Sequence, residues 1–126
     1  MDNTYLSPAE RRVLAEQALQ NLGADRHRHI LVRVRCPRSH HVAIVYDTSE
    51  GPVYRTQVGP HAHGSRDFVD VGHHGRRPGT EYVDLLDAGA FAEDVLPARC
   101  ECGNRSLSRS ELRGTIDEHQ RVIQVP

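Results

Sequence analysis

The stretch Ile30-Leu31-Val32-Arg33-Val34-Arg35-Cys36-Pro37-Arg38-Ser39-His40-His41-Val42-Ala43-Ile44-Val45-Tyr46 decides the fold. Ile30, Val32, Val34 and Cys36 alternate with Leu31, Arg33 and Arg35, which is the period of a strand with one buried face. Val42 to Tyr46 is a second run rich in β-branched residues, so the chain turns between the two at Cys36-Pro37-Arg38-Ser39-His40. Downstream, Asp47-Thr48-Ser49-Glu50-Gly51-Pro52 is a turn cluster that sends the chain back through Val53 to Val58. Residues 30–58 are therefore expected to form an antiparallel meander of three strands with a knuckle at one end.

That knuckle carries a cysteine and a histidine at C-x3-H spacing, and the other two cysteines of the chain lie together in Cys100-Glu101-Cys102-Gly103. A tetrahedral structural zinc takes four soft or borderline ligands, commonly two from each of two short loops. The expected ligand set is Cys36, His40, Cys100 and Cys102, binding one zinc per chain. His41 is the alternative to His40, because neighbouring imidazoles at a turn both have access to a metal. The plainer alternative makes Cys36 a buried strand cysteine and the other two incidental. Four protein ligands leave no open position for water, so such a zinc folds a domain and does not catalyse.

Residues 30–46 and 96–125 carry Arg35-Cys36-Pro37-Arg38-Ser39-His40, Ala98-Arg99-Cys100-Glu101-Cys102-Gly103, Leu107 and Glu111-Leu112. In these segments the chain resembles the small zinc-ribbon-like proteins of actinobacteria and their phages. The resemblance covers a little over a third of the chain. It implies a zinc-ribbon clasp, with the metal held by the same four residues.

Composition bounds the remaining choices. A chain of 126 residues suits one domain, and 37% hydrophobic residues with no Trp is a thin apolar supply, which a metal staple would supplement. The net charge of −1 excludes a broadly basic nucleic-acid binder while leaving room for a local basic face. All 16 cationic residues are Arg, as in proteins from GC-rich genomes. Neither a cationic, apolar leader nor a long apolar run is evident, so a cytoplasmic protein without a membrane span is expected, its cysteines reduced and available to metal.

Ser7-Pro8-Ala9-Glu10 is a capping box with Pro at the first helical position, and predicts a helix over 8–22. Leu14, Ala15, Ala18, Leu19 and Leu22 form its apolar stripe, and Arg11, Arg12, Glu16, Gln17 and Gln20 the opposite face. Residues 59–81 are rich in Gly and His and read as a long loop. A short helix is expected around Val83 to Phe91. A second capping box, Ser108-Arg109-Ser110-Glu111, opens a helix to about Glu118, and Arg121 to Val125 reads as a terminal strand that joins the sheet. The expected fold is thus one zinc-stabilised α+β domain, a small antiparallel sheet with two to three flanking helices; the second knuckle, a helix and the last strand occupy 96–125.

Two features bear on function besides the clasp. Arg26, Arg28, Arg33, Arg35 and Arg38 fall in a stretch without acids, and Arg33, Arg35 and Arg38 are the expected contacts to nucleic acid. Tyr46 and Tyr54 are the candidate stacking aromatics near this sheet. His61, His63, His73 and His74, with Asp67 and Asp70, are the one grouping that suits a catalytic metal. The expectation is a non-enzymatic, zinc-stabilised binding or regulatory module that contacts nucleic acid. A protein-interaction or phage accessory factor is second, and a metal-dependent hydrolase third.

Overall fold

The computed structural model describes residues 6–56, 82–87, 94–98 and 105–125. Helix α1 (Pro8–Leu22) starts where its capping box directs: the Ser7 hydroxyl accepts from Glu10 N at 3.1 Å, and Ser7 N donates to the Glu10 carboxylate at 2.9 Å. Gly23, at φ 63°, ends it in a backbone region that glycine enters without a Cβ penalty. A 3-10 segment (Gly23–His29) then leads into the sheet.

Strands β1 (Ile30–Arg35), β2 (His41–Thr48) and β3 (Gly51–Thr56) form the expected antiparallel meander, in the register Arg33 to Ile44 to Arg55. The sheet extends on both sides. β4 (Val83–Leu85) adds antiparallel to β3, and β7 (Val122–Gln124) adds parallel to β1, giving the order β4-β3-β2-β1-β7. A separate hairpin of β5 (Val95–Pro97) and β6 (Ser106–Ser108) precedes helix α2 (Arg109–Asp117).

Three expectations need correction. The sheet is mixed and five-stranded, because β7 runs beside β1 in the same direction. Residues Val83 to Leu85 are an edge strand and not the start of a helix; the helix expected there otherwise falls on residues that lie outside the described set, apart from Leu86 and Asp87. The Val95–Pro97 and Ser106–Ser108 hairpin was not expected at all. Three-residue strands offer too little alternation to distinguish them from turns.

Alternation along the strands divides the core in two. Ile44, Tyr46, Val53, Val83 and Leu85 face α1, where Ala15, Ala18 and Leu19 cover them. Val32, Val34, Val45 and Tyr54 face the other way, onto Leu96, Leu107 and Leu112 from the hairpin and α2. Tyr54 is fully buried and its hydroxyl donates to Pro97 O at 2.6 Å, which pins the hairpin to the sheet. Burial also pushes the Tyr54 phenol pKa far up, so it stays a donor.

Arg11, expected on the solvent face of α1, is 4% exposed. It lies four residues before Ala15, on the same stripe, and forks onto Asp84 of β4 through Nε at 2.9 Å and Nη2 at 3.2 Å. Arg109, the first residue of α2, donates to the same carboxylate at 3.2 Å and to the Leu85 and Leu86 carbonyls at 2.7 and 3.0 Å. Tyr82 Oη donates to Asp84 Oδ2 at 2.9 Å, and the Leu85 amide donates to Asp84 Oδ1 at 2.8 Å. Replacing Asp84 with Ala leaves two buried guanidiniums without their anion and should cost about 3–5 kcal/mol of stability. Urea unfolding measures it; a loss under about 1 kcal/mol would show that the network is dispensable.

Candidate metal centre and basic face

The first knuckle is built on the end of β1. Cys36 N donates to His40 O at 2.9 Å and Ser39 N to Cys36 O at 2.7 Å, so residues 36–40 close into a tight turn with Ser39 at φ 68°. Arg38 N points at Cys36 Sγ from 3.4 Å, a donor that favours the thiolate. The turn brings Cys36 Sγ and His40 Nδ1 to 3.4 Å. Two ligands of one tetrahedral zinc, with bonds of about 2.3 Å to sulfur and 2.0–2.1 Å to nitrogen, sit about 3.6 Å apart. The pair therefore has a chelating separation through Nδ1.

Cys100 and Cys102 lie outside the described residues. Their flanks are described: Ala98 N donates to Arg105 O at 2.8 Å, which brings the two flanks together. Leu96, Ala98 and Leu107 belong to the same buried cluster as Cys36. From the other side, Gln124 Nε2 donates to Cys36 O at 3.1 Å and Val125 N to Arg35 O at 2.8 Å. Among the described residues no group of three or more His, Cys, Asp or Glu is gathered in a way that could hold a metal. Cys36 is 0% exposed, a burial that suits a ligand and a plain core cysteine equally. His61, His63, His73 and His74, with Asp67 and Asp70, lie outside the described residues.

His41 points away from the knuckle. It pairs with Arg35 across β1 and β2, on the α1 side of the sheet, and its Nδ1 is buried without a hydrogen-bond partner, as is Arg35 Nε. Burial, then the neighbouring Arg35 and Arg33 charges, hold its pKa below the ordinary 6.5. This placement favours His40 over His41 at the knuckle.

Arg33 and Arg35 project from one face of β1, two residues apart. Arg33 pairs with Ile44 and Ile44 with Arg55, so Arg55 stands on the same face two strands away. Arg26 lies over the Tyr46 ring, 6.0 Å from its centroid. Among the described residues α1 packs chiefly against β4 and β2, away from β1, and Arg33 and Arg35 are half-buried. Arg26, Arg33, Arg35 and Arg38 make no ion pair with any described residue. Tyr46 and Tyr54 are 6% and 0% exposed, which removes both as stacking platforms. The sequence signal for Arg55 was its place on the strand after the turn, but only the register shows that it joins the other arginines.

No helix among the described residues is long and apolar enough to cross a membrane. Comparison with protein-family models, with curated proteins and with solved structures finds no match to this chain.

Because its folded pKa is depressed, His41 contributes stability that is fully present above pH 6.5 and is lost as the pH falls through its folded value. Its ring protons, followed by NMR, should titrate with a midpoint below 6.5, and Arg35→Gln should move that midpoint up. A midpoint at or above 6.5 in the unaltered protein contradicts this placement.

Proposed function

We propose that this chain is a non-enzymatic, zinc-stabilised module of the reducing cytoplasm that binds nucleic acid through the arginine face of its sheet. One observation carries the reading: Arg33 and Arg35 stand two residues apart on one face of β1, with no ion-pair partner among the described residues. Guanidiniums left without acids on a rigid strand suit phosphate oxygens, which they bind through two parallel N–H donors. Their spacing along β1, roughly 6.7 Å for two residues, lets each meet a separate phosphate. Arg38, exposed on the knuckle turn, extends the basic surface toward the metal end.

The zinc enters the reading as a structural element. The Cys36–His40 separation fits a chelate, and the hairpin below Cys100 and Cys102 packs in the cluster of Cys36. Zinc at this point would tie β1 to the β5–β6 hairpin and hold the turn that presents Arg38. With Cys36, His40, Cys100 and Cys102 all engaged, it would have no site for a reacting water. This is the same arrangement that the resemblance to zinc-ribbon-like proteins implies.

Binding should show strong salt dependence, log K falling with log salt, and Arg33→Glu with Arg35→Glu should flatten the slope by about one unit per arginine. Fluorescence anisotropy with a labelled oligonucleotide measures this; no binding at about 50 mM salt sinks the nucleic-acid reading. For the metal, His40→Ala should abolish zinc retention and lower Tm, whereas His41→Ala should keep the zinc. Retention by both variants would remove His40 from the site.

A further inference from the structure

Between α1 and the edge of the sheet lies a cleft of about 140 Å³, lined by Glu16, Leu19, Gln20, Arg26, Arg55 and Val83. Leu19 and Val83 close its base and are each only 3% exposed, so its accessible walls are mainly the polar side chains. Glu16 and Gln20, one turn apart on α1, offer a carboxylate and an amide at its rim, and Arg26 and Arg55 bring two guanidiniums to it. Arg12 engages Glu16 at 3.5 Å, which partly offsets the one acid present. The cleft shares a cross-strand row with the basic face: Val83, Arg55, Ile44, Arg33 and Val122 are register partners across all five strands.

We propose that this cleft takes one unstacked base of a single-stranded nucleic acid whose phosphates run along Arg55, Arg33 and Arg35. The volume admits one planar heterocycle. A base there would stack on a guanidinium plane, in place of the tyrosine stacking that burial of Tyr46 and Tyr54 removes. Glu16 accepts from an exocyclic amine or ring N–H, and the Gln20 amide both donates and accepts, so the rim matches the edge of a base and not a bare phosphate. Strand spacing sets Arg33 about 9.6 Å from Arg55 in the row, which lets the backbone pass from the cleft onto β1. Duplex DNA keeps its bases paired and has none to offer.

This inference rests on the nucleic-acid reading, and the test separates the two. Anisotropy is measured with a labelled single-stranded oligothymidine, with an abasic strand of equal length and charge, and with a duplex. The intact strand should bind about tenfold tighter than the abasic one, the scale of a single stacked base. Gln20→Ala, at an exposed position of the rim, removes the amide and should bring the ratio toward one; an unchanged ratio would overturn the base site. Equal affinity for intact and abasic strands overturns the base site and leaves the arginine face standing. Binding to none of the three overturns both. Thymidine monophosphate displacing the oligonucleotide at equal concentration would assign the cleft to free nucleotides and overturn the strand-bound form of the proposal.

Discussion

The Asp84 carboxylate is the point on which the layers of this fold depend. It sits on the edge strand β4, where a helix from each face of the sheet can reach it: Arg11 from α1 and Arg109 from α2. Charges this deeply buried lose their hydration, and the loss is offset only when every donor and acceptor is met. Here five hydrogen bonds converge on the two carboxylate oxygens, and the Leu6, Leu85 and Leu86 carbonyls accept from the guanidiniums. An apolar cluster of the same volume would hold the layers with similar strength. What the carboxylate adds is direction, since only one placement of each helix brings its guanidinium to bear.

The opposite edge of the sheet is tied differently. There β7 lies parallel to β1, and its backbone and Gln124 side chain hold the strand end that carries Cys36. A parallel neighbour cannot come from a tight hairpin, so β1 and β7 must be joined by the whole intervening chain. Ordering so long a connection costs conformational entropy, and a metal bound between the turn after β1 and residues 100–102 would offset that cost.

Much of the fold was legible where the local chemistry is strong. The capping box at Ser7 placed α1 to the residue, and the alternation through Ile30 to Tyr46 gave the meander and its knuckle. The Ser108 N-cap likewise marked α2, its hydroxyl accepting from Glu111 N at 3.3 Å. What escaped were pairings between distant segments. Strand direction for Arg121 to Val125 is set by the partner it meets, and nothing in five residues encodes that. Arg11 read as a surface residue because its charge outweighed its position on the Ala15 and Leu19 stripe, and Asp84 in an apolar run was the matching signal. Of the candidate site, Cys36 and His40 were legible from spacing, and their proximity is observed. The separation of His41 from His40 needed the sheet, since alternation sends neighbours to opposite sides only once the strand has begun. The arginine face was half legible, because Arg33 and Arg35 share a strand whereas Arg55 joins them only through register.

The two faces of β1 differ: Val32 and Val34 enter the core that also holds Cys36, just past the strand, and Arg33 and Arg35 lie on the other face. A metal that fixes the end of β1 would also fix the surface offered to phosphate, so loss of the clasp should be felt at the arginine face. The most direct measurement is X-ray absorption at the zinc edge on the purified chain. One zinc with three sulfur ligands near 2.3 Å and one nitrogen near 2.0–2.1 Å is predicted. A chain that folds without metal, or a zinc bound by oxygen and nitrogen alone, would contradict the clasp.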